Sequence, residues 1–441
     1  MPRSLDQWLA YQARVHPQSI DLGLDRLRQV LSRLHWRQPQ VPVITVAGTN
    51  GKGSVSALCA AIMRAAGYRV GTFTSPHLRD YRERILIHDR MVEPLELVSA
   101  FERIEAARGS VSLTFFEFNA LAALLVFEAA RLDAWVLEVG MGGRLDAVNV
   151  VDPDVAVVVS IGFDHQEYLG TTLDAIGREK AGILRKATPA VFGGRDGGAV
   201  LEEIARSLAA PLMRLGREYG YSVQDDSWHY RGSGWDLPRL PPPALLGDAQ
   251  YANAATAIAA LEAIEARLAI SAAAVAEGLR SVRLVARFQV IAATATSPAW
   301  ILDVAHNPDA ARVLARNLRT TPSTGRTFAV CGILADKDAR GIAAALGDCI
   351  DAWWCIATDG ERGRGASALA QIVREQVTAP VEATDSLAAA CTGAQAKAGS
   401  QDRIVVFGSF HVVGPALDWL EAHGVLPPAA LPEYTAAPRA T

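Results

Sequence analysis

Continuous apolar runs, rather than alternating ones, dominate the first half of the chain. Residues 41–47 form one such run and are followed, after a polar glycine-rich interruption, by Val55, Leu58, Cys59, Ile62 and Met63 at helical spacing. A buried strand running into a helix is the element pair this pattern predicts. Residues 70–73, 135–139 and 155–161 are further strand-length apolar runs, with a helix expected over residues 118–131. Strands apolar on both faces predict a parallel sheet covered by helices on each side, the doubly wound α/β arrangement. Ahead of them, Leu24, Leu27, Leu31 and Leu34 recur at three and four, which predicts an amphipathic helix over residues 21–34.

The pattern changes over residues 215–247, where Tyr219, Tyr221, Trp228, Tyr230, Trp235 and Pro241-Pro242-Pro243 fall in short segments. These read as a small β meander followed by a loop. Alanine-rich helices over residues 252–266 and 272–279 close the domain. From Ala299 the alternation of strand and helix restarts, with strands over residues 301–304, 327–333, 352–357 and 404–407. The boundary is therefore expected between Gln289 and Ser297. That gives residues 1–293 as a P-loop, doubly wound, ATPase-like domain and residues 294–441 as a smaller, Rossmann-like α/β domain. Residues 436–441 are expected to fray.

Composition narrows the class. With 441 residues, 50% of them hydrophobic, the chain has material for two cores. Its net charge of −4 gives no electrostatic reason to expect nucleic acid or an anionic membrane as partner. No stretch approaches the ~20 apolar residues of a membrane span. Small molecules are the expected partners, and the chain is expected to act as a monomer. Cys59, Cys331, Cys349, Cys355 and Cys391 are odd in number and contain no C-x-x-C pair, which reads as a reduced, cytoplasmic protein. Residues 1–18 carry Arg3, Asp6, Arg14 and His16 without a continuous apolar core, unlike a signal peptide.

The interruption after the first strand is Gly48-Thr49-Asn50-Gly51-Lys52-Gly53-Ser54. Strand, glycine loop and helix form the context in which backbone N–H groups at a helix N-terminus hold phosphate oxygens. Lys52 adds a full charge, and the hydroxyl of Ser54 or Thr49 is placed to reach a Mg²⁺ ion. The spacing departs from the usual phosphate-loop pattern, since two residues separate Gly48 from Gly51 and Gly53 follows the lysine.

Ligands of open α/β sheets lie beyond the carboxyl ends of the strands, so the polar residues that end apolar runs come next. Thr74-Ser75-Pro76-His77-Leu78 follows one strand, and Gly162-Phe163-Asp164-His165 follows another. Glu138 sits inside the run Trp135-Val136-Leu137-Glu138-Val139, where a buried carboxylate needs a cation. Magnesium and an arginine such as Arg144 are the two candidates. Gly140-Met141-Gly142-Gly143-Arg144-Leu145-Asp146 permits close backbone approach to a ligand. Lys180, in Arg178-Glu179-Lys180-Ala181-Gly182-Ile183, can reach back to this rim, and Asp303-Val304-Ala305-His306-Asn307-Pro308 makes a second polar strand end.

In order and spacing these segments, with Asp336-Lys337-Asp338 and Val406-Phe407-Gly408-Ser409-Phe410, resemble the folylpolyglutamate synthase and dihydrofolate synthase family, relatives of the Mur amino-acid ligases. The resemblance runs from about residue 19 to residue 413. It implies that Asn50, Gly51, Lys52 and Gly53, with Ser54, contact ATP phosphates, and that Ser75, Glu138 and His165 hold Mg²⁺. It also implies that Lys180 is carbamylated beside a second Mg²⁺. Asn253, Arg287, Asp303 and His306 match nucleotide contacts, and a monovalent cation such as K⁺ is a further expected cofactor. Ala286, where many relatives have glycine, and Asp248-Ala249-Gln250 depart from the pattern.

Ser19-Ile20-Asp21-Leu22, Thr114-Phe115-Phe116-Glu117 and Leu145-Asp146-Ala147 resemble the dihydropteroate-binding segments of the bacterial bifunctional enzymes. The implied activity is ATP-dependent addition of glutamate to dihydropteroate and then to reduced folates through an acyl phosphate. Lys52 and Mg²⁺ neutralise charge in this scheme, carbamylated Lys180 is counted with the catalytic residues, and His77 or Asp164 takes the proton of the incoming amine. A monofunctional folylpolyglutamate synthase is the alternative. A Mur-type cell-wall ligase is a weaker rival, expected to carry a substantial domain ahead of the loop where this chain has 47 residues. A non-catalytic nucleotide switch would carry an N-K-x-D segment, and the sequence has none.

Overall fold

The computed structural model describes residues 3–295, 297–426 and 431. The expected frayed tail, residues 436–441, lies outside the described residues. The chain divides into two compact units: residues 1–77, 81–244 and 250–282 form the first, and residues 78–80, 245–249 and 283–441 the second.

The first unit is built on an eight-stranded sheet of β1 (Val43–Ala47), β2 (Val70–Phe73), β3 (Ile85–Ile87), β4 (Arg90–Met91), β5 (Ala134–Glu138), β6 (Val155–Val158), β7 (Ala190–Phe192) and β8 (Leu212–Arg214). Their order is β4-β3-β2-β5-β1-β6-β7-β8. From β2 to β8 all pairs are parallel, and β3 and β4 add an antiparallel edge. Every residue of β1, β2, β5 and β6 is buried, as their unbroken apolar runs require of strands covered on both faces. Four strands missing from the sequence reading, β3, β4, β7 and β8, have only two or three residues each, too short to give a run.

The loop segment 19–24 is irregular, and the first amphipathic helix starts at Asp25 (Asp25–Arg33) rather than at residue 21. A helix over Leu5–Val15 precedes it, opened by a Ser4 capping box with Gln7. The expected meander is a three-stranded antiparallel sheet of β9 (Gly220–Gln224), β10 (Ser227–Arg231) and β11 (Asp236–Leu240). The alanine-rich helices are Ala249–Glu262 and Ala272–Ser281. Small side chains let the second of these lie close to the helix Lys52–Ala65: a Cβ on Gly278 would stand 2.5 Å from Ile62 Cα.

The second unit holds β12 (Gln289–Ile291), β13 (Ala299–Asp303), β14 (Thr327–Cys331), β15 (Ala352–Ile356), β16 (Val381–Thr384) and β17 (Arg403–Phe407), in the order β12-β13-β17-β14-β15-β16. The expected boundary at residues 293/294 is thus too late. Residues 289–291 pair antiparallel with β13 as an edge strand of the second sheet, and the division falls at Val282/Arg283. Successive strand residues feed opposite layers: Trp300, Leu302, Phe328, Val330, Ile404 and Val406 enter one core. Ile301, Ala329, Cys331, Val405 and Phe407 enter the other.

Candidate active site

Four carboxyl ends of the first sheet come out side by side, because Ala47 is in register with Val158, Val46 with Glu138, and Phe73 with Leu137. The glycine loop leaves β1 there. Gly51 has φ +85 and caps the helix Lys52–Ala65, a conformation open to glycine without strain. Lys52 Nζ donates to Gly48 O at 3.1 Å, folding the side chain over its own loop. Asn253 stands against the loop: a Cβ on Gly51 would meet Asn253 Oδ1 at 2.8 Å. The expected nucleotide contact from the alanine-rich helix is therefore brought to the phosphate loop.

Ser160, absent from the sequence reading, is the clamp of this loop. Its Oγ accepts from Asn50 N and donates to Asn50 O, both at 2.9 Å. The signal was a hydroxyl closing the apolar run after β6, which was read as part of the strand. Thr49, the other hydroxyl considered for Mg²⁺, is engaged with the main chain. Its hydroxyl donates to Gly162 O (3.1 Å) and accepts from Gly162 N (3.0 Å).

Glu138 ends β5 with 4% of its surface exposed, and its Oε2 accepts from Ser75 N at 3.2 Å. The cation near it is not Arg144, which pairs instead with Glu179 at 2.8 Å. The buried Arg84 guanidinium, another residue the sequence reading missed, interacts with its charge. Arg84 Nε also donates to His77 Nδ1 at 2.7 Å. A guanidinium only donates, so Nδ1 is an acceptor and the proton of a neutral imidazole sits on Nε2. In this arrangement His77 presents a hydrogen-bond donor at Nε2.

Asp164 remains beside the other strand end, its Oδ1 accepting from His165 N at 2.8 Å. His165 itself adopts φ +50 at the start of the short helix Gln166–Leu169. Lys180 lies near the C-terminus of Leu173–Ala181, 3% exposed. Burial pushes its ammonium down to about 7, Lys52 adds to the depression, and Asp164 and Asp146 oppose it. With that value about half of the amine is neutral at pH 7, and the neutral amine is the form that can take up CO₂.

The three segments expected to bind the pterin are linked. Arg26 Nε donates to Glu117 Oε1 at 3.0 Å, and its NH1 donates to Asp21 Oδ2 at 2.6 Å. Thr114 and Glu117 form the capping box of the helix Phe115–Ala130. Phe116 fills the space over the glycine loop, where a Cβ on Gly140 would stand 2.6 Å from Phe116 Cζ. Asp146, 2% exposed, closes that loop by accepting from Met141 N (2.9 Å) and Val148 N (3.1 Å). Burial pushes its carboxyl up to about 6, although these N–H groups and Lys52 hold it down.

In the second unit Asp303 accepts from Phe288 N (2.8 Å) and Ala305 N (2.7 Å). Arg287 and His306 are near enough to lower a carboxyl that burial raises. Ala286 has φ +60, a left-handed backbone that favours glycine. Three polar motif residues are N-caps: Asn307, Asp338 and Ser409 accept from Ala310, Gly341 and His411 N–H groups.

Residues 46–261 match the model of the Mur ligase middle domain, and residues 286–410 match the Mur ligase, glutamate ligase domain. The chain is 42% identical to the dihydrofolate synthase/folylpolyglutamate synthase of Escherichia coli K12 over 418 residues, covering 95% of this chain and 96% of that one. Among solved structures, E. coli FolC in complex with DHPP and ADP matches with TM-score 0.90 at 41% identity, over 96% of this chain and 99% of that one. The bifunctional folylpolyglutamate synthase/dihydrofolate synthase of Yersinia pestis complexed with AMPPNP and Mn ion matches with TM-score 0.88 at 42% identity, over 95% and 98%.

Proposed function

The chain belongs to the Mur ligase family, in its dihydrofolate synthase/folylpolyglutamate synthase branch of ATP-dependent ligases, and from that premise we propose that it joins L-glutamate to dihydropteroate and then to reduced folates. The observation that supports the choice of a pterin is the linkage of residues 19–22 and 114–117 through Arg26, with Phe116 packed over the glycine loop that Asp146 closes. That linkage lies in the same unit as the phosphate loop.

In the proposed reaction a carboxylate of the pterin substrate attacks the γ-phosphate of ATP, giving an acyl phosphate and ADP. The amine of glutamate then displaces phosphate and forms the amide. Phosphoryl transfer asks the protein for position and charge stabilisation. Asn50 to Gly53 hold the phosphates, Lys52 unfolds from Gly48 O onto them, and Asn253 contacts the nucleotide. Asp164 takes the proton of the incoming amine.

A buried carboxylate at a strand end beside Ser75 suits a hard cation that prefers oxygen. Ser75, Glu138 and His165 are the proposed holders of one Mg²⁺, and carbamylated Lys180 of a second. The metal supplies neutralisation of phosphate charge during transfer. The second ion, a monovalent cation and monomeric action belong to the same proposal. The test is ATP consumption with glutamate, offering dihydropteroate and tetrahydrofolate separately. Turnover of both is expected. Turnover of tetrahydrofolate alone would leave a monofunctional enzyme, and turnover of neither would remove the reading.

A further inference from the structure

Between the helix Leu5–Val15 and the helix Asp25–Arg33 the chain has no regular structure. Gly23 has open space around it, with no atom within 4 Å of an added Cβ. Two side chains hold this stretch: His16 bonds the main chain of Gln18, and Arg26, which follows it, holds Asp21. Arg26 NH2 donates to the main-chain oxygen of Asp21 at 2.7 Å, and NH1 donates to the Asp21 carboxylate at 2.6 Å. On its other edge Nε faces both oxygens of Glu117, at 3.0 and 3.2 Å. Glu117 is 4% exposed and is held in turn by the Thr114 N–H at 2.7 Å. His16 Nε2 closes the network, 3.3 Å from Asp21 Oδ2.

Only a planar, five-donor fork can meet a main-chain carbonyl and two carboxylates in this way; a lysine ammonium reaches one or two of them without fixing their relative orientation. We propose that Arg26 is a positioning residue for the pterin substrate: it holds the irregular segment 19–22 at the N-terminus of the helix Phe115–Ala130, so that two substrate-facing segments keep one geometry. The inference rests on the pterin reading above. Arg26 acts through Asp21 and Glu117, and its loss loosens pterin binding while the phosphate loop keeps its own contacts.

The test uses the full chain and steady-state kinetics of Arg26→Met and Arg26→Lys. The KM for dihydropteroate and for tetrahydrofolate should rise about tenfold or more in Arg26→Met, the scale of a lost charge-assisted anchor. The KM for ATP should stay within about twofold of wild type, and Arg26→Lys should fall between the two. If Arg26→Met does not fold, the selective rise in Arg26→Lys decides alone. Equal shifts in pterin and ATP KM, or no shift in pterin KM, overturn the inference. A wild-type protein that turns over neither pterin would instead overturn the reading on which it rests.

Discussion

Asn253 Oδ1 occupies the space that a side chain on Gly51 would need, 2.8 Å from the position of its Cβ. Val159 Cγ1 stands 2.9 Å from the same point, and the Gly51 backbone is left-handed at φ +85. An alanine there would carry roughly 1–2 kcal/mol of conformational cost and push Asn253 away from the loop. Gly51→Ala is expected to raise the KM for ATP at least about tenfold and to lower the melting temperature. Unchanged ATP kinetics would show that Asn253 and the loop do not form one nucleotide contact.

Lys180 and Lys52 repel one another in a buried setting, and this sets a pH dependence. Burial first, and Lys52 second, bring the Lys180 ammonium down to about 7, against roughly 10.4 in an unfolded chain. Between these values the unfolded state binds a proton that the folded state does not, so this group makes stability rise with pH over that window. In CO₂-free buffer, Lys180→Met should have a flatter rise of denaturant midpoint from about pH 7 to about pH 10 than wild type. With limiting bicarbonate, the acid limb of activity near pH 7 should move to lower pH as bicarbonate is added. An identical slope in the variant and no response to bicarbonate would remove the neutral-amine account.

Ser160→Ala removes both bonds that hold the main chain of Asn50. Each is worth on the order of 1 kcal/mol net, so a loss of about 1–2 kcal/mol in unfolding free energy is expected. The ATP KM should rise while the KM for the pterin stays near wild type. Chemical denaturation together with both KM values checks this, and a change confined to the pterin would contradict the clamp.

Ser160 also shows what the sequence made legible and what it did not. Long apolar strands and the glycine loop were readable because burial on both faces leaves an unbroken run, and the loop must use small residues. The two- and three-residue edge strands β3, β4, β7 and β8 carry too few positions to show a period. Candidate residues at strand ends were found from their polarity against an apolar background. Ser160, Arg84 and Arg26 were not, since their partners are 110, 7 and 91 residues away and only the fold brings them together. The Arg84 bond to His77 Nδ1, which sets the tautomer of that ring, is likewise made only in the fold.

Asp146→Asn tests whether the glycine loop shapes the pterin site through its own backbone. Both carboxylate oxygens accept from main-chain N–H groups, at Met141 and Val148, and the side chain caps the short helix Ala147–Val150. An amide offers one acceptor oxygen and turns an NH₂ group towards the other N–H. One buried donor is then left unpaired, at a cost of about 1–3 kcal/mol. Phe116 packs where a Gly140 side chain would lie, so a loosened loop also disturbs residues 114–117. The variant is therefore expected to unfold at lower denaturant and to show a higher KM for dihydropteroate and tetrahydrofolate. ATP binding in the absence of pterin, measured by calorimetry, should change by less than about threefold because the phosphate loop is clamped separately by Ser160. Full stability in Asp146→Asn with wild-type pterin KM would mean that the loop holds its shape without this carboxylate.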